Sequence, residues 1–292
     1  MTYENPGIPE GINISKTHPL TDMALMLMAV TGVLVLGLTL LFFASGYLAK
    51  FLPFSAEEPI GKSFADEIFL AEHCHPDASR VERRLQDLAN KLALAQGTPA
   101  RMPLKIKLLE SDEINAMATF GGRVYIMQGL LEKLPHENAL AMVLSHEIAH
   151  IAHRDPLVAL GRAAIMWVAL SFIPGFGDFG TAQVLSQITS LTSLGFSRNQ
   201  EEAADTAALA TLKNYYGYTT GAEALFDALM ESQGKEGPAL FSTHPVTENR
   251  INQILQYQKI SVRGPLTSIE PYRLIPSGSI SPSCESISNP SS

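Results

Sequence analysis

The feature that most constrains this chain is a run without charge. From Met23 to Ala49 it reads MALMLMAVTGVLVLGLTLLFFASGYLA, with no Asp, Glu, Lys or Arg. As an α-helix rising about 1.5 Å per residue, this run is ~40 Å long, more than the ~30 Å hydrocarbon core of a bilayer requires. A cleaved signal peptide needs a basic start and a shorter apolar stretch, whereas the polar lead over 1–22 carries Lys16 against Glu4, Glu10 and Asp22. The expectation is one uncleaved transmembrane helix over 23–49 in contact with lipid, in preference to a signal peptide or a buried core helix. The positive-inside rule sets Lys16 before the helix against Lys50 and Lys62 after it, which points to a cytoplasmic body.

The rest of the chain must supply a folded body. Its 292 residues, 46% apolar and 17% charged, suffice for a hydrophobic core in addition to one span. A net charge of −8 and the lack of any basic run exclude a general nucleic-acid binder. Cys74 and Cys284 form no Cys-x-x-Cys pair, so cysteine zinc sites and thioredoxin chemistry are excluded. One disulfide and two free thiols both remain open.

After a linker over 50–77, a body over 78–262 shows helical and strand periodicities. Val81, Leu85, Leu88 and Leu92 mark a helix over 78–95. Leu104–Leu109 alternates apolar and basic residues and reads as a strand, and Arg123–Met127 reads as another behind the tight Gly121-Gly122 connection. Further helices are expected over 137–154, 199–214, 221–231 and 246–258. Residues 157–196 are mostly apolar but broken by Pro174 and glycines, which favours a buried or membrane-surface hairpin over a second span. The Ser- and Pro-rich tail, 263–292, is expected to be largely disordered. The fold class is α+β, mainly helical, with a small antiparallel sheet behind one N-terminal transmembrane helix.

Within the 137–154 helix stands His146-Glu147-Ile148-Ala149-His150. Histidines four apart share one helical face and can bind one metal ion, while Glu147, turned about 100° away, can accept a proton from a metal-bound water and pass it to a leaving amine. Zinc suits imidazole and carboxylate ligands. The pattern alone arises by chance in roughly 1–2 of 100 chains of this composition, so its surroundings must carry weight. A catalytic zinc needs a third protein ligand. Pro156 stands where the His-x-x-Gly-x-x-His extension would place it. Ser197-Arg198-Asn199-Gln200-Glu201-Glu202-Ala203-Ala204-Asp205 offers an alternative, with Glu201 as ligand and Asp205 as acceptor for the spare N–H of a ligand histidine. An ordinary acidic helix surface has the same spacing.

Taken together, the motifs resemble those of the HtpX-, BepA- and Oma-type zinc metallopeptidases, gluzincins grouped with the CAAX prenyl proteases. The matching pieces run in order over about 80–258: Asn115-Ala116-x-Ala118 with Gly121-Gly122, HEIAH with His153-Arg154, SRNQEEAAD, and Ser242-Thr243-His244-Pro245 with Arg250. The resemblance implies a membrane-anchored endopeptidase with one Zn2+ per chain, ligands His146, His150 and Glu201, and base Glu147. Asp205 would support a ligand histidine. His244 and Arg250 would stabilise the oxyanion or order the cleft, and a histidine there could also cap the metal in a latent state. Arg123, Val124, Tyr125, Ile126 and Met127 would be the edge strand on which a peptide pairs. Implied substrates are unfolded, membrane or envelope polypeptides. The implied location is single-pass in a bacterial inner membrane with the catalytic domain on the periplasmic side, against the lysine count. The competing function is a chaperone or assembly factor that binds chains and rarely cuts them. A single span argues against a CAAX-type chamber.

Other residues read as structural. His73-Cys74-His75 is expected to be a loop, His153 a surface or rim residue, Trp167 core or membrane-facing, and Tyr215 and Tyr216 packing residues.

Overall fold

A computed structural model describes residues 18–68, 75–99, 102–171, 195–224, 244–245 and 247–275 of the chain. Its contacts divide into two compact units, Met1–Ala44 and Ser45–Ser292. The described part of the first unit is helical and belongs to α1 (Pro19–Leu48), which opens on a proline, whose fixed φ suits a first helical turn. Among the described residues α1 is the one helix long and apolar enough to cross a membrane. Its large side chains, such as Met26, Val33 and Phe43, point outward unburied.

In the second unit a short 3-10 turn, Ala49–Phe51, leads into α2 (Phe54–Ile68), so the stretch expected to be a linker is largely helical. Helix α3 (Ala78–Gln96) buries Val81, Leu85, Leu88 and Leu92 along one stripe and stops at Gly97, whose φ of 76° is accessible to glycine at little cost. Three strands follow: β1 (Lys105–Leu109), β2 (Ala116–Thr119) and β3 (Arg123–Met127). Then come α4 (Gln128–Lys133), α5 (Glu137–His153), α6 (Asp155–Ser171), α7 (Arg198–Tyr216) and α8 (Glu248–Ile260). Helices α3, α5 and α7 pack on one another, and β2 lies beside α5. Leu85, Leu92, Ile126, Leu140, Leu144 and Leu209 meet in the core between them.

Two expectations about the sheet are corrected. It is mixed, not wholly antiparallel, and its order is β1-β3-β2. Ala116 pairs with Ile126 antiparallel, across the Phe120–Gly122 turn, whereas Ile106 pairs with Val124 in parallel. The chain reverses twice between β1 and β3, so these two run the same way once β3 inserts between its predecessors. Arg123–Met127 is therefore the central strand, not an edge. All five of its residues are buried, as expected for an unbroken apolar run that is covered on both faces. The edges are β1 and β2.

The expected disorder of the tail is also corrected for residues 263–275. Ile269 and Tyr272 are buried in the core. Arg80 donates to the carbonyls of Pro271 (2.9 Å) and Arg273 (2.8 Å), and the Tyr272 hydroxyl donates to Glu137 Oε2 at 2.8 Å. Residues 1–17, His73, Cys74, 172–194 and 276–292, including Cys284, lie outside the described residues, as does most of the helix expected over 221–231.

Candidate metal centre

Helix α5 starts where the His136 ring accepts the N–H of Ala139 at 3.1 Å, satisfying one of the first-turn donors. Leu140, Met142, Val143, Leu144, Ile148 and Ile151 bury its other faces. That leaves His146, Glu147 and His150 to face α7. Helix α7 opens at Ser197, whose N–H donates to Gln200 Oε1 at 3.1 Å. Ala204, Ala208, Leu209 and Leu212 anchor it in the core, so Glu201 and Asp205, one turn apart, are presented to the two histidines.

The resulting cluster is dense and buried. His146, His150, Glu201 and His244 each bring one ligand atom within 4.8 Å of all the others. His146 Nε2 and His150 Nε2 lie 3.0 Å apart, and Glu201 carboxylate oxygens lie 3.4 Å from each. His244 Nδ1 lies 3.2 Å from His146 Nε2 and 3.0 Å from Glu201 Oε1. Behind the rings, His146 Nδ1 meets Asp205 Oδ1 at 2.9 Å and His150 Nδ1 meets Asp155 Oδ2 at 2.8 Å. Glu147 is 1% exposed, and its Oε2 has no hydrogen-bond partner among the described residues.

This arrangement fits a cation. Each Nδ1 faces a carboxylate and so carries the ring proton, which leaves each Nε2 as an acceptor. Two acceptors 3.0 Å apart repel unless something positive sits between them. Ligands about 2.0–2.1 Å from a tetrahedral zinc are themselves roughly 3.3 Å apart, close to the spacing found. Without an ion, protons take its place. Burial opposes a charged His146, but bonds to Asp205 and Glu201 outweigh it and raise its pKa to about 10. His150 is raised too: burial opposes this, while Asp155 and Glu201 favour it. Burial pushes the Glu201 carboxyl up, yet its contacts with His146, His150 and His244 hold it far below the ordinary range.

The sequence model described as peptidase family M48 matches residues 79–258, more than half of the chain. The chain belongs to peptidase family M48. It is 30% identical to a protease HtpX homologue of Bacillus velezensis over 213 residues, covering 60% of this chain and 70% of that protein. It is 28% identical to the beta-barrel assembly-enhancing protease of Yersinia pestis, over 58% of this chain but 37% of that longer protein. The mitochondrial metalloendopeptidase OMA1 of Schizosaccharomyces pombe is 28% identical, with 63% of this chain and 53% of that protein aligned. The chain is thus a metalloendopeptidase of a zinc-using family, and among the described residues its His/Glu cluster can hold a metal ion.

Within this M48 peptidase, the structure brings His146, Glu147, His150, Glu201, Asp205, His244 and Arg250 together, all buried. Arg250 faces the carboxylates. Its Nε and Nη2 donate to Asp205 at 2.6 and 2.9 Å, and its Nη1 lies 2.7 Å from Glu201 Oε2 and donates to the Pro245 carbonyl at 3.0 Å. This geometry orders the carboxylates. The β3 residues are not at the open edge of the sheet. His153 is exposed, and Tyr216 donates its hydroxyl to Glu137 at 2.7 Å at the far end of α5. His75 sits in a turn, its N–H on Glu110. Trp167 is half-buried on α6.

Two residues of the site escaped the sequence reading. Asp155 stands five positions after His150, beyond the end of α5. Arg154 ends that helix at φ 66°, and this left-handed turn folds Asp155 back under the ring. The only available signal was an acid just past a His-rich helix end. Phe196, just before the α7 cap, stacks on His150 with ring centroids 4.0 Å apart.

Proposed function

We propose that His146, His150 and Glu201 hold the catalytic zinc and that Glu147 is the general base and acid for peptide hydrolysis. The observation that carries this is the facing pair of imidazole acceptors, each backed by a carboxylate on its far nitrogen. When bound, zinc supplies a Lewis acid and a water with a pKa of about 7. Glu147 takes a proton from the attacking water and returns it to the leaving amine. Asp205 and Asp155 hold the two rings in the tautomer that ligation needs, and Arg250 fixes Asp205 and Glu201.

The peptide pairs with β2, in place of the β3 strand expected from the sequence. Met127 N–H donates to the Asn115 carbonyl at 3.1 Å. By the two-residue period of a strand, Asn115, Met117 and Thr119 turn their backbone groups to β3, and Ala116 and Ala118 turn theirs away. Asn115 Oδ1 accepts the Ala116 N–H at 2.9 Å, so Ala118 offers the outward N–H to an added strand.

The protein is anchored through α1 and acts on unfolded, membrane or envelope polypeptides, with its body on the periplasmic side of a bacterial inner membrane. The name of the Yersinia relative, which ties that protein to β-barrel assembly, supports this reading. A C-terminal topology reporter tests the side. Glu147→Gln tests the chemistry: it should keep one zinc and the fold yet lose cleavage of an unfolded polypeptide, and retained cleavage sinks the mechanism. An assembly factor that rarely cuts would keep its biological role in that variant.

His244 favours a second reading about state. Its nearness to the other three ligand groups supports it as a fourth ligand, which closes the position that a water needs. His244→Ala should then change both basal activity and the metal's coordination. If neither moves, His244 is no cap.

A further inference from the structure

Outside the metal cluster, a second buried carboxylate calls for explanation. Glu57 of α2 is 4% exposed, and a buried carboxylate persists only where its partners offset the lost hydration. Its Oε1 lies 2.5 Å from Arg154 Nη2, and its Oε2 accepts the Gly121 N–H at 3.2 Å. Both partners sit at strategic turns.

Arg154 is the left-handed residue that ends α5. Besides Glu57, its guanidinium donates to the Leu52 carbonyl at 2.9 Å and lies over the Phe54 ring, 4.0 Å from its centroid. Three residues of the 52–57 stretch thus enclose one side chain. The backbone turn at Arg154 sets the position of Asp155, which reaches two elements at once. Its Oδ2 meets His150 Nδ1 at 2.8 Å, and its Oδ1 accepts from Gln200 Nε2 at 2.7 Å, one residue before Glu201.

Gly121, with φ 68°, lies in the turn that ends β2. Helix α2 touches this turn backbone to backbone: a Cβ on Gly61 would come within 2.3 Å of the Phe120 carbonyl oxygen. Helix α2 therefore grips both the end of the metal-bearing helix and the end of the edge strand. These are the two walls of the proposed cleft.

We propose that Glu57 is a positioning residue of the peptidase centre, fixing His150 through Arg154 and Asp155 and fixing the end of β2 through Gly121. Helix α2 is then a working part of the site and more than a spacer after α1. The proposal rests on the ligand assignment above, which metal binding by the unmutated chain and by His150→Ala tests separately.

The experiment uses the full-length protein in detergent, loaded with cobalt for its d–d spectrum and with zinc for kinetics on an unfolded polypeptide. Glu57→Gln should alter the cobalt bands, speed zinc loss to a chelator and lower kcat a few-fold, less than the about 10–100-fold that loss of a direct partner of a metal ligand costs. Glu57→Asp, which keeps the charge, should recover part of each. Phe54→Leu keeps apolar packing but removes the ring under Arg154, and it should shift the same readouts by a smaller amount. Folded Glu57→Gln with unchanged bands and kcat overturns the proposal and leaves Glu57 a stability residue. If Glu57→Gln does not fold, Phe54→Leu decides: a shifted spectrum and lower kcat support the proposal, and wild-type values overturn it. If the unmutated chain binds no cobalt, the ligand assignment fails and takes the proposal with it.

Discussion

The two histidines of α5 are one turn apart and chemically identical, yet they are supported in opposite ways. His146 leans on Asp205, 59 residues away on α7 and clamped by the Nε and Nη2 of Arg250. His150 leans on Asp155, five residues away, placed by the left-handed turn at Arg154 and held by Gln200. The first support is a long-range ion-pair network that also knits α7 to α8. The second is a local turn whose outer contacts come from the 52–57 stretch. The same second-sphere task is met once by tertiary structure and once by backbone conformation, and the two should fail differently.

The largest expected difference concerns stability. Asp205→Ala leaves the buried Arg250 without its main partner and should cost about 3–5 kcal/mol, measured by denaturant unfolding of the metal-free protein. Asp155→Ala should cost clearly less in the same assay, and equal losses would break the comparison. The pH dependence of the metal-free protein comes next. With its pKa raised from 6.5 to about 10, His146 contributes stability that is fully present below pH 6.5 and is lost as pH rises through 10. After chelation the melting temperature should therefore fall between pH 7 and pH 10. Asp205→Asn should flatten that fall more than Asp155→Asn, because Asp205 leads the contacts that raise His146. In the opposite direction, zinc affinity should drop as pH falls through 10 toward neutral and below, since His146 must shed its proton to bind the ion.

Smaller still is the effect on catalysis at constant fold. Asp155→Ala should lower kcat or zinc affinity about 10–100-fold. Gln200→Ala removes the outer hydrogen bond to Asp155 along with the exposed Ser197 contact at the start of α7, and should cost about 1 kcal/mol or less, read as a few-fold loss in kcat. A Gln200→Ala effect as large as that of Asp155→Ala would mean that Gln200 acts on Glu201 directly.

The same contrast explains what the sequence made legible. His146, Glu147, His150, Glu201, Asp205, His244 and Arg250 stand in ordered motifs, and the fold collects them. Asp155 depends on a left-handed turn made by an arginine, where no glycine marks it. Helix α2 looked like a linker because it contains Pro59 and Gly61, poor helix residues, yet Gly61 permits the close approach to Phe120. Helices α3, α5 and α7 were readable because periodicity records burial locally. Strand order is non-local. The unbroken run Val124-Tyr125-Ile126-Met127 was the available sign of a central strand, but Gly121-Gly122 drew attention to the hairpin alone. The tail's Ser- and Pro-rich composition hid the two anchors Ile269 and Tyr272.

Everything above turns on one zinc among the α5 histidines and the α7 glutamate. Zinc-edge X-ray absorption on the full-length protein tests it most directly, combined with metal content. The expected result is one zinc per chain in a shell of imidazole nitrogen and carboxylate oxygen without sulfur, and loss of that zinc in His146→Ala and in Glu201→Ala. Sulfur in the shell, or a full zinc complement retained in both variants, would contradict it.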